Sequence, residues 1–415
     1  MIRIAAHIIT PVYVTSFLSA VRLLHPGEDV ELTLLVFWGA AGSDAVRGEM
    51  AECVRAMTCG LPSPPRIVAV AEADMEAILR RESPEDVSAA ARAAFGLPEL
   101  DEFHYGHATV GCFAQLMASA FPQARRVCFG DVFGMVHWRR ERLAYAGVAV
   151  KALPRLNPDD AGEALRWACA ERDAGRGSLQ ELLAEREIAP HLAALGIPID
   201  QFGDYFDSVP LRVYPRAVVL DVLRECAASA EELGHYIKSI LAAHADRPKF
   251  LLLTANFAEA DDLSPETDVA MYAAVVRESC PPGSTILLKT HPGETIPRAE
   301  RLRGLLAPDY LVVELDRRFR RYPIEIWTEA VQQCGIVCIT SPAVTLAYFY
   351  GKKVFQPLDE AFINRWWAPE KRPFRKLGLL WIRCPLENLP GWDEQSPLYS
   401  ACILPEAHHA NEEGQ

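Results

Sequence analysis

The chain has 415 residues, half of them hydrophobic, and 55 acidic against 42 basic side chains give it a net charge of -13. A chain of that length buries a sizeable core and is long for a single one, so two domains are expected. The acidic balance argues against a nucleic-acid partner, because a phosphate backbone needs a basic surface.

The segment Met1 to Ile9 is an apolar run that stops at Thr10-Pro11, too short for a signal sequence or a membrane span, and it reads as a first buried strand. Further short apolar runs at Glu31 to Trp38, Arg66 to Val70 and Arg126 to Phe129 read as strands. Helical stretches lie between them at Val14 to Leu24, Asp44 to Met57, Asp74 to Phe95 and Val110 to Ala120. Strand and helix alternating in this way predict a parallel sheet covered on both faces. Within this lobe His104 and His107 fall in a segment read either as cleft-facing or as surface loop.

After Trp138 the pattern turns rich in Ala, Glu, Arg and Leu, with helical periodicity at Asp160 to Glu171, Ser178 to Glu187 and Val218 to Ala243. A second alternating series follows. Its strands are Lys249 to Thr254, Thr285 to Leu288, Tyr310 to Glu314, Gly335 to Ile339 and Lys353 to Phe355. Its helices are Pro265 to Arg277, Ala299 to Leu306, Pro323 to Gln333 and Ala343 to Tyr350. The expected organisation is an N-terminal Rossmann-like lobe over 1–140, a helical insertion over 141–245, a C-terminal Rossmann-like lobe over 246–390 and a tail over 391–415. Two such lobes place a ligand cleft at the carboxyl ends of their strands.

Four places put polar chemistry at such strand or helix ends. In Lys289-Thr290-His291-Pro292-Gly293-Glu294 a buried strand ends in a Lys and a His, and the proline holds His291 towards extended backbone. An imidazolium there can donate a proton or a charge-assisted hydrogen bond to a phosphate; a strand-terminating turn is the plain alternative. In Ile339-Thr340-Ser341-Pro342-Ala343-Val344-Thr345 the hydroxyls border a helix start, with Ser341 at the cap and Pro342 at the first helical position, where free backbone N–H groups suit an anion. In Phe129-Gly130-Asp131-Val132 an apolar strand runs into an acid, either a general base at a strand end or a turn residue. Glu325 lies in the first turn after Pro323, where the helix dipole alone favours a carboxylate and a ribose could be its ligand. Thr254 and Asn256 in one lobe, and Thr10 and Ser16 in the other, border the same expected cleft.

Other patterns carry less. Walker A, strand-linked GxGxxG, HExxH and GxSxG motifs are all missing. Asp159-Asp160 and Asp261-Asp262 read as helix caps rather than metal ligands. The 11 cysteines include no CxxC pair, and an odd number of thiols without a secretory leader points to a reducing, cytoplasmic compartment. The run Arg317, Arg318, Arg320, Arg321 is the densest basic stretch, read as a solvated loop or as a groove for a polyanionic acceptor.

The combination of Asp131, His291-Pro292 and Ser341, in that order, resembles the bacterial sialyltransferases and polysialyltransferases of the GT-B type. The resemblance covers most of the second lobe and the end of the first lobe's sheet. It implies an α/β GT-B fold and an inverting transfer of an acidic sugar from a CMP donor to a hydroxyl of a surface glycan, capsular polysaccharide or lipooligosaccharide. The CMP-sugar would be a co-substrate, with neither metal nor other cofactor. Asp131 would be the base and His291 the group that meets the CMP phosphate. Lys289, Pro292, Thr340, Ser341 and Thr345, with Thr254 and Asn256, would line the CMP site, and Glu325 would take its ribose. Here Gly130 precedes the acid and Val132 follows it, where the family has two acids and then Gly. The work would fall in the cytoplasm or at the inner face of the inner membrane, with peripheral membrane contact at most. A CMP-Kdo transferase shares much of this pattern, and a nucleotide-sugar epimerase or hydrolase shares the architecture. A silent scaffold for polysaccharide assembly is a further alternative.

Overall fold

A computed structural model of the protein describes residues 1–36, 44–71, 84–97, 99–106, 120–130, 212–213, 215–340, 342–372 and 400–403, with isolated positions 74, 77, 78, 117 and 375. The chain divides into two compact units. Unit one comprises 1–51, 63–214 and 397–415, and unit two comprises 52–62 and 215–396.

Unit one carries β1 (Ile2–Ile8), α1 (Val12–Leu24), β2 (Val30–Val36), the first half of α2 (Asp44–Thr58), whose residues from Glu52 on belong to unit two, β3 (Arg66–Ala69), α3 (Pro84–Phe95), β4 (Glu102–Gly106) and β5 (Arg125–Gly130). All but β4 fall in the segments the sequence predicts, and a short β6 (Arg212–Val213) follows. The sheet runs β3-β2-β1-β4-β5, continued by a C-terminal strand Ser400–Ile403 and then β6. The first five are parallel, and Ser400–Ile403 lies antiparallel between β5 and β6. The expected tail is therefore corrected in part: it supplies a strand to the first lobe's sheet.

His104, read either as cleft-facing or as surface loop, lies in β4 and is fully buried. Its Nε2 sits 2.8 Å from Glu102 Oε2, and His25 Nε2 sits 2.9 Å from the same oxygen. Arg125 donates to the other carboxylate oxygen. Glu102 is thereby held by three partners from β4, β5 and the end of α1. This strand escaped prediction because Glu-Phe-His-Tyr alternates charge and aromatics where a buried parallel strand usually reads as a run of aliphatics.

Unit two opens with α4 (Arg216–Ser229) and α5 (Glu231–Ala243), then β7 (Lys249–Leu253), α6 (Pro265–Ser279), β8 (Thr285–Lys289), α7 (Arg298–Leu306), β9 (Leu311–Glu314), α8 (Thr328–Gln333), β10 (Gly335–Cys338), α9 (Pro342–Tyr350), β11 (Val354–Phe355) and α10 (Glu360–Trp366). Val218 to Ala243, read as one helix, is two, broken at Ala230. Both belong to unit two, which therefore begins earlier than residue 246. The other helices read between 141 and 214 lie outside the described residues.

The second sheet runs β11-β10-β7-β8-β9, all parallel. Read from the other edge this is the third, second, first, fourth and fifth strand of the unit, the Rossmann order, and β3-β2-β1-β4-β5 repeats it in unit one. That order reverses direction between the first and fourth strands, and the crevice beyond their carboxyl ends is where such sheets take ligands. In unit two those strands are β7 and β10.

Ser264 opens α6: its Oγ accepts from Thr267 N at 3.1 Å, and Pro265 takes the first helical position. Replacing Ser264 by Ala is expected to cost about 1 kcal/mol, read as a lower urea midpoint for unit two. Asp262 is thus not the cap; it pairs with Arg375, and Asp261 occupies the left-handed region at φ 56°. Asp159 and Asp160 lie outside the described residues.

Candidate active site

The carboxyl end of β8 carries the first residues of interest. Every residue of Thr285–Lys289 is buried, because the strand is covered on both faces. Lys289 is buried with it: its Nζ donates to Arg320 O at 2.9 Å and lies 5.5 Å from the Trp327 ring centre. Burial pulls its ammonium down to about 8, against the opposing pull of Glu325. Lys289 thus ties β8 to the turn after β9; the resemblance places it in the lining of the CMP site.

His291 follows, half-buried. Its backbone N–H donates to Thr254 Oγ1 at 3.2 Å, and Thr254 N–H donates to Lys289 O at 3.3 Å. Thr254, at the end of β7, therefore staples the two strand ends together. Gly293 N–H donates to His291 Nδ1 at 3.1 Å. An imidazole nitrogen that accepts a hydrogen bond has no proton, so the proton of the neutral ring sits on Nε2. Burial pushes His291 down to about 4, with the Lys289 ammonium acting in the same direction and Glu259 against it. The imidazolium expected from the motif is corrected on that account: near pH 7 the ring is neutral and offers an Nε2–H.

Glu325 lies in a single 3-10 turn, Ile324–Ile326, and the predicted helix begins only at Thr328. The carboxylate is 4 % exposed, and Thr345 Oγ1, itself fully buried, donates to Glu325 Oε1 at 2.7 Å. Thr345 thereby orients Glu325. The fold buries Thr345 because the first turns of α9 pack inward along Ala343–Leu346.

Thr340 lies two residues past β10, half-buried, and its carbonyl accepts Ala343 N at 3.0 Å as α9 begins. Asn256 and Pro292 are half-buried beyond β7 and β8. Unit two thus assembles Thr254, Asn256, Lys289, His291 and Thr340 at the carboxyl ends of β7, β8 and β10, on either side of the strand reversal. Asp131 and Ser341 lie outside the described residues, as does His107.

The arginine run is built into the fold. Arg317 pairs with Glu314 at 2.7 Å, Arg318 with Asp316 and Glu232 at 2.9 and 2.8 Å, and Arg321 is 8 % exposed. These pairs favour the loop reading over an acceptor groove. A cavity of about 860 Å³ lies along α4, α5 and α8, lined by Arg216, His235, Lys238 and Glu329 among others, and includes none of the strand-end residues. Among the described residues no cluster of His, Cys, Asp and Glu is arranged to hold a metal ion. No helix among the described residues is long and apolar enough to cross a membrane.

Sequence reasoning missed a set of charged residues behind His291: Glu259, Asp268, Glu294 and Arg298. Glu294 and Arg298 are oppositely charged and four apart, a spacing normally read as a solvated helix pair. Only the fold reveals that both are buried.

No family model matches the chain, and no curated protein does. Among solved structures it is similar to the UDP-GlcNAc 2-epimerase of Neisseria meningitidis bound to UDP-GlcNAc, at 10% identity and a TM-score of 0.41 over 96% of this chain and 93% of that one. It is similar also to S. aureus MnaA with UDP, at 10% identity and a TM-score of 0.41 over 96% and 92%. The E. coli heptosyltransferase WaaC with ADP-2-deoxy-2-fluoro heptose aligns at 12% identity and a TM-score of 0.36 over 86% and 90%. With five parallel strands in Rossmann order in each unit, the chain is an α/β protein of two Rossmann-like units, the GT-B fold class.

Proposed function

We propose that the protein is an inverting, metal-independent glycosyltransferase that moves sialic acid, or a related nonulosonic acid, from a CMP-sugar to a hydroxyl of a bacterial surface glycan. The acceptor would be capsular polysaccharide or lipooligosaccharide, met at the inner face of the inner membrane. The observation that carries the reading is His291, held beside the strand reversal of unit two with its ring proton on Nε2. The sialyltransferase-like order of Asp131, His291-Pro292 and Ser341 supplies the donor class.

In the proposed reaction the acceptor oxygen forms a bond to the anomeric carbon as the bond from that carbon to the CMP phosphate breaks. The electron pair of the broken bond goes to the phosphate, and the acceptor's proton goes to Asp131. Negative charge on the departing phosphate grows during this step, so the Nε2–H of His291 bonds it more strongly in the transition state than in the bound donor. Glu325, oriented by Thr345, would accept the ribose hydroxyls of CMP. One phosphate needs less neutralisation than two, which suits a site built from a ring N–H and hydroxyls.

Purified protein incubated separately with CMP-sialic acid and CMP-Kdo, each with an oligosaccharide acceptor, tests this directly. CMP release and a lengthened acceptor are expected with CMP-sialic acid. Release with CMP-Kdo alone would reassign the sugar. Release from neither, together with conversion of UDP-GlcNAc to its 2-epimer, would replace the transferase reading by the epimerase one.

A further inference from the structure

Arg298 is fully buried at the start of α7, and its guanidinium spans three carboxylates from three segments. Nε donates to Asp268 Oδ2 at 2.7 Å, Nη1 to Glu294, and Nη2 lies 3.5 Å from Glu259 Oε2. The guanidinium also lies 5.7 Å from the centre of the Tyr272 ring, whose hydroxyl accepts Ala255 N at 2.7 Å next to Thr254. Only an arginine fork reaches three carboxylates in this way.

The cluster holds the loop that carries His291 on its C-terminal side. Glu294 N–H donates to His291 O at 3.0 Å, closing a turn around Pro292 and Gly293. Past that turn, Thr295 N–H donates to Glu259 Oε1 at 3.0 Å. Gly293, whose N–H meets Nδ1, lies inside that turn. Buried charges of this kind cost several kcal/mol to desolvate, and apolar replacements of similar volume often match them in stability. Stability alone therefore gives a weak reason for a carboxylate adjacent to Gly293, whereas fixing the direction of one N–H gives a strong one.

We infer that the buried Glu294–Arg298 pair is the positioning device for His291: by fixing the turn in which Gly293 N–H meets Nδ1, it holds the imidazole as the Nε2–H tautomer. The consequence for catalysis rests on the proposed function, but the tautomer itself does not.

The test is the ¹⁵N spectrum of the His291 ring in full-length, ligand-free protein at pH 7.5, its signals identified by their loss in His291→Gln. Wild type is expected to carry the proton on Nε2. Gly293→Pro, which removes the N–H donor, should give mixed tautomers, and Glu294→Leu should do the same from within the buried cluster. Glu294→Gln keeps an acceptor oxygen for Arg298 and should restore the wild-type pattern. Should Glu294→Leu lose its fold, Arg298→Lys takes its place under the same criterion. A proton on Nδ1 in wild type, or a wild-type pattern in the cluster variant, overturns the inference. Failure to turn over a CMP-sugar would leave these spectra unchanged, so the two readings fail separately.

Discussion

Replacing His291 by Ala is expected to lower turnover of the sugar donor by about 10²–10⁴-fold, the usual contribution of a positioned hydrogen-bonding or acid–base group, while CMP binding weakens by about tenfold or less. The split follows from the geometry: a single N–H aimed at a growing charge contributes mainly in the transition state. Turnover by rapid-mix release of CMP, set beside CMP affinity by calorimetry, measures the two separately. The pH profile gives an independent check. Burial holds His291 down at about 4, and its neutral form is the working one. The His291 limb of kcat/KM, which reports the free enzyme, should therefore rise through about pH 4 and be complete by neutrality. A limb near 6.5 that disappears in His291→Ala would mean that the ring titrates as an exposed histidine does, against the burial described here.

The largest expected effect on stability lies in unit one. Glu102→Ala removes the carboxylate shared by His25, His104 and Arg125 and leaves buried polar groups facing a void. Breaking such a cluster by one partner costs about 3–5 kcal/mol. Burial by itself would raise the Glu102 carboxyl, but the hydrogen bonds from His104 and His25 prevail and hold it down at about 2. Its folded value thus lies below the ordinary 4.5, so its contribution is complete above that pH and is lost as pH falls from 4.5 through about 2. Urea unfolding followed by a probe in unit one should show the variant weakened near pH 7 and the gap to wild type narrowing below pH 4.5. An equal gap at pH 7 and pH 2.5 would show that Glu102 acts through packing alone. With two compact units in the chain, each transition needs its own probe.

Most strands and helices were legible from periodicity, because a parallel strand buried on both faces reads as a short apolar run and Pro and Gly mark its ends. Lys249 to Thr254 and Thr285 to Leu288 came within a residue of β7 and β8 for this reason. The order of strands was not legible. Which strand neighbours which is decided by crossovers that leave no mark on local composition, so the place of Thr254 beside Lys289 needed coordinates. His291 announced itself by its proline, but its protonation did not, since that depends on Gly293 and on how deep the loop lies. That Thr345 meets Glu325 was not legible, because helix spacing gives a face without saying what that face meets. Arg298 carried no signal at all, as an arginine at a helix start is ordinarily solvated.

The strand Ser400–Ile403 pairs with β5 across most of the length of the chain. Contacts this distant in sequence form late, since the loop between the partners must close first. During synthesis the whole of unit two leaves the ribosome before the sheet of unit one can receive this strand. Until then β5 presents an unpaired edge, the kind of surface that recruits foreign strands. The order of translation thus leaves the first-made unit to be finished last.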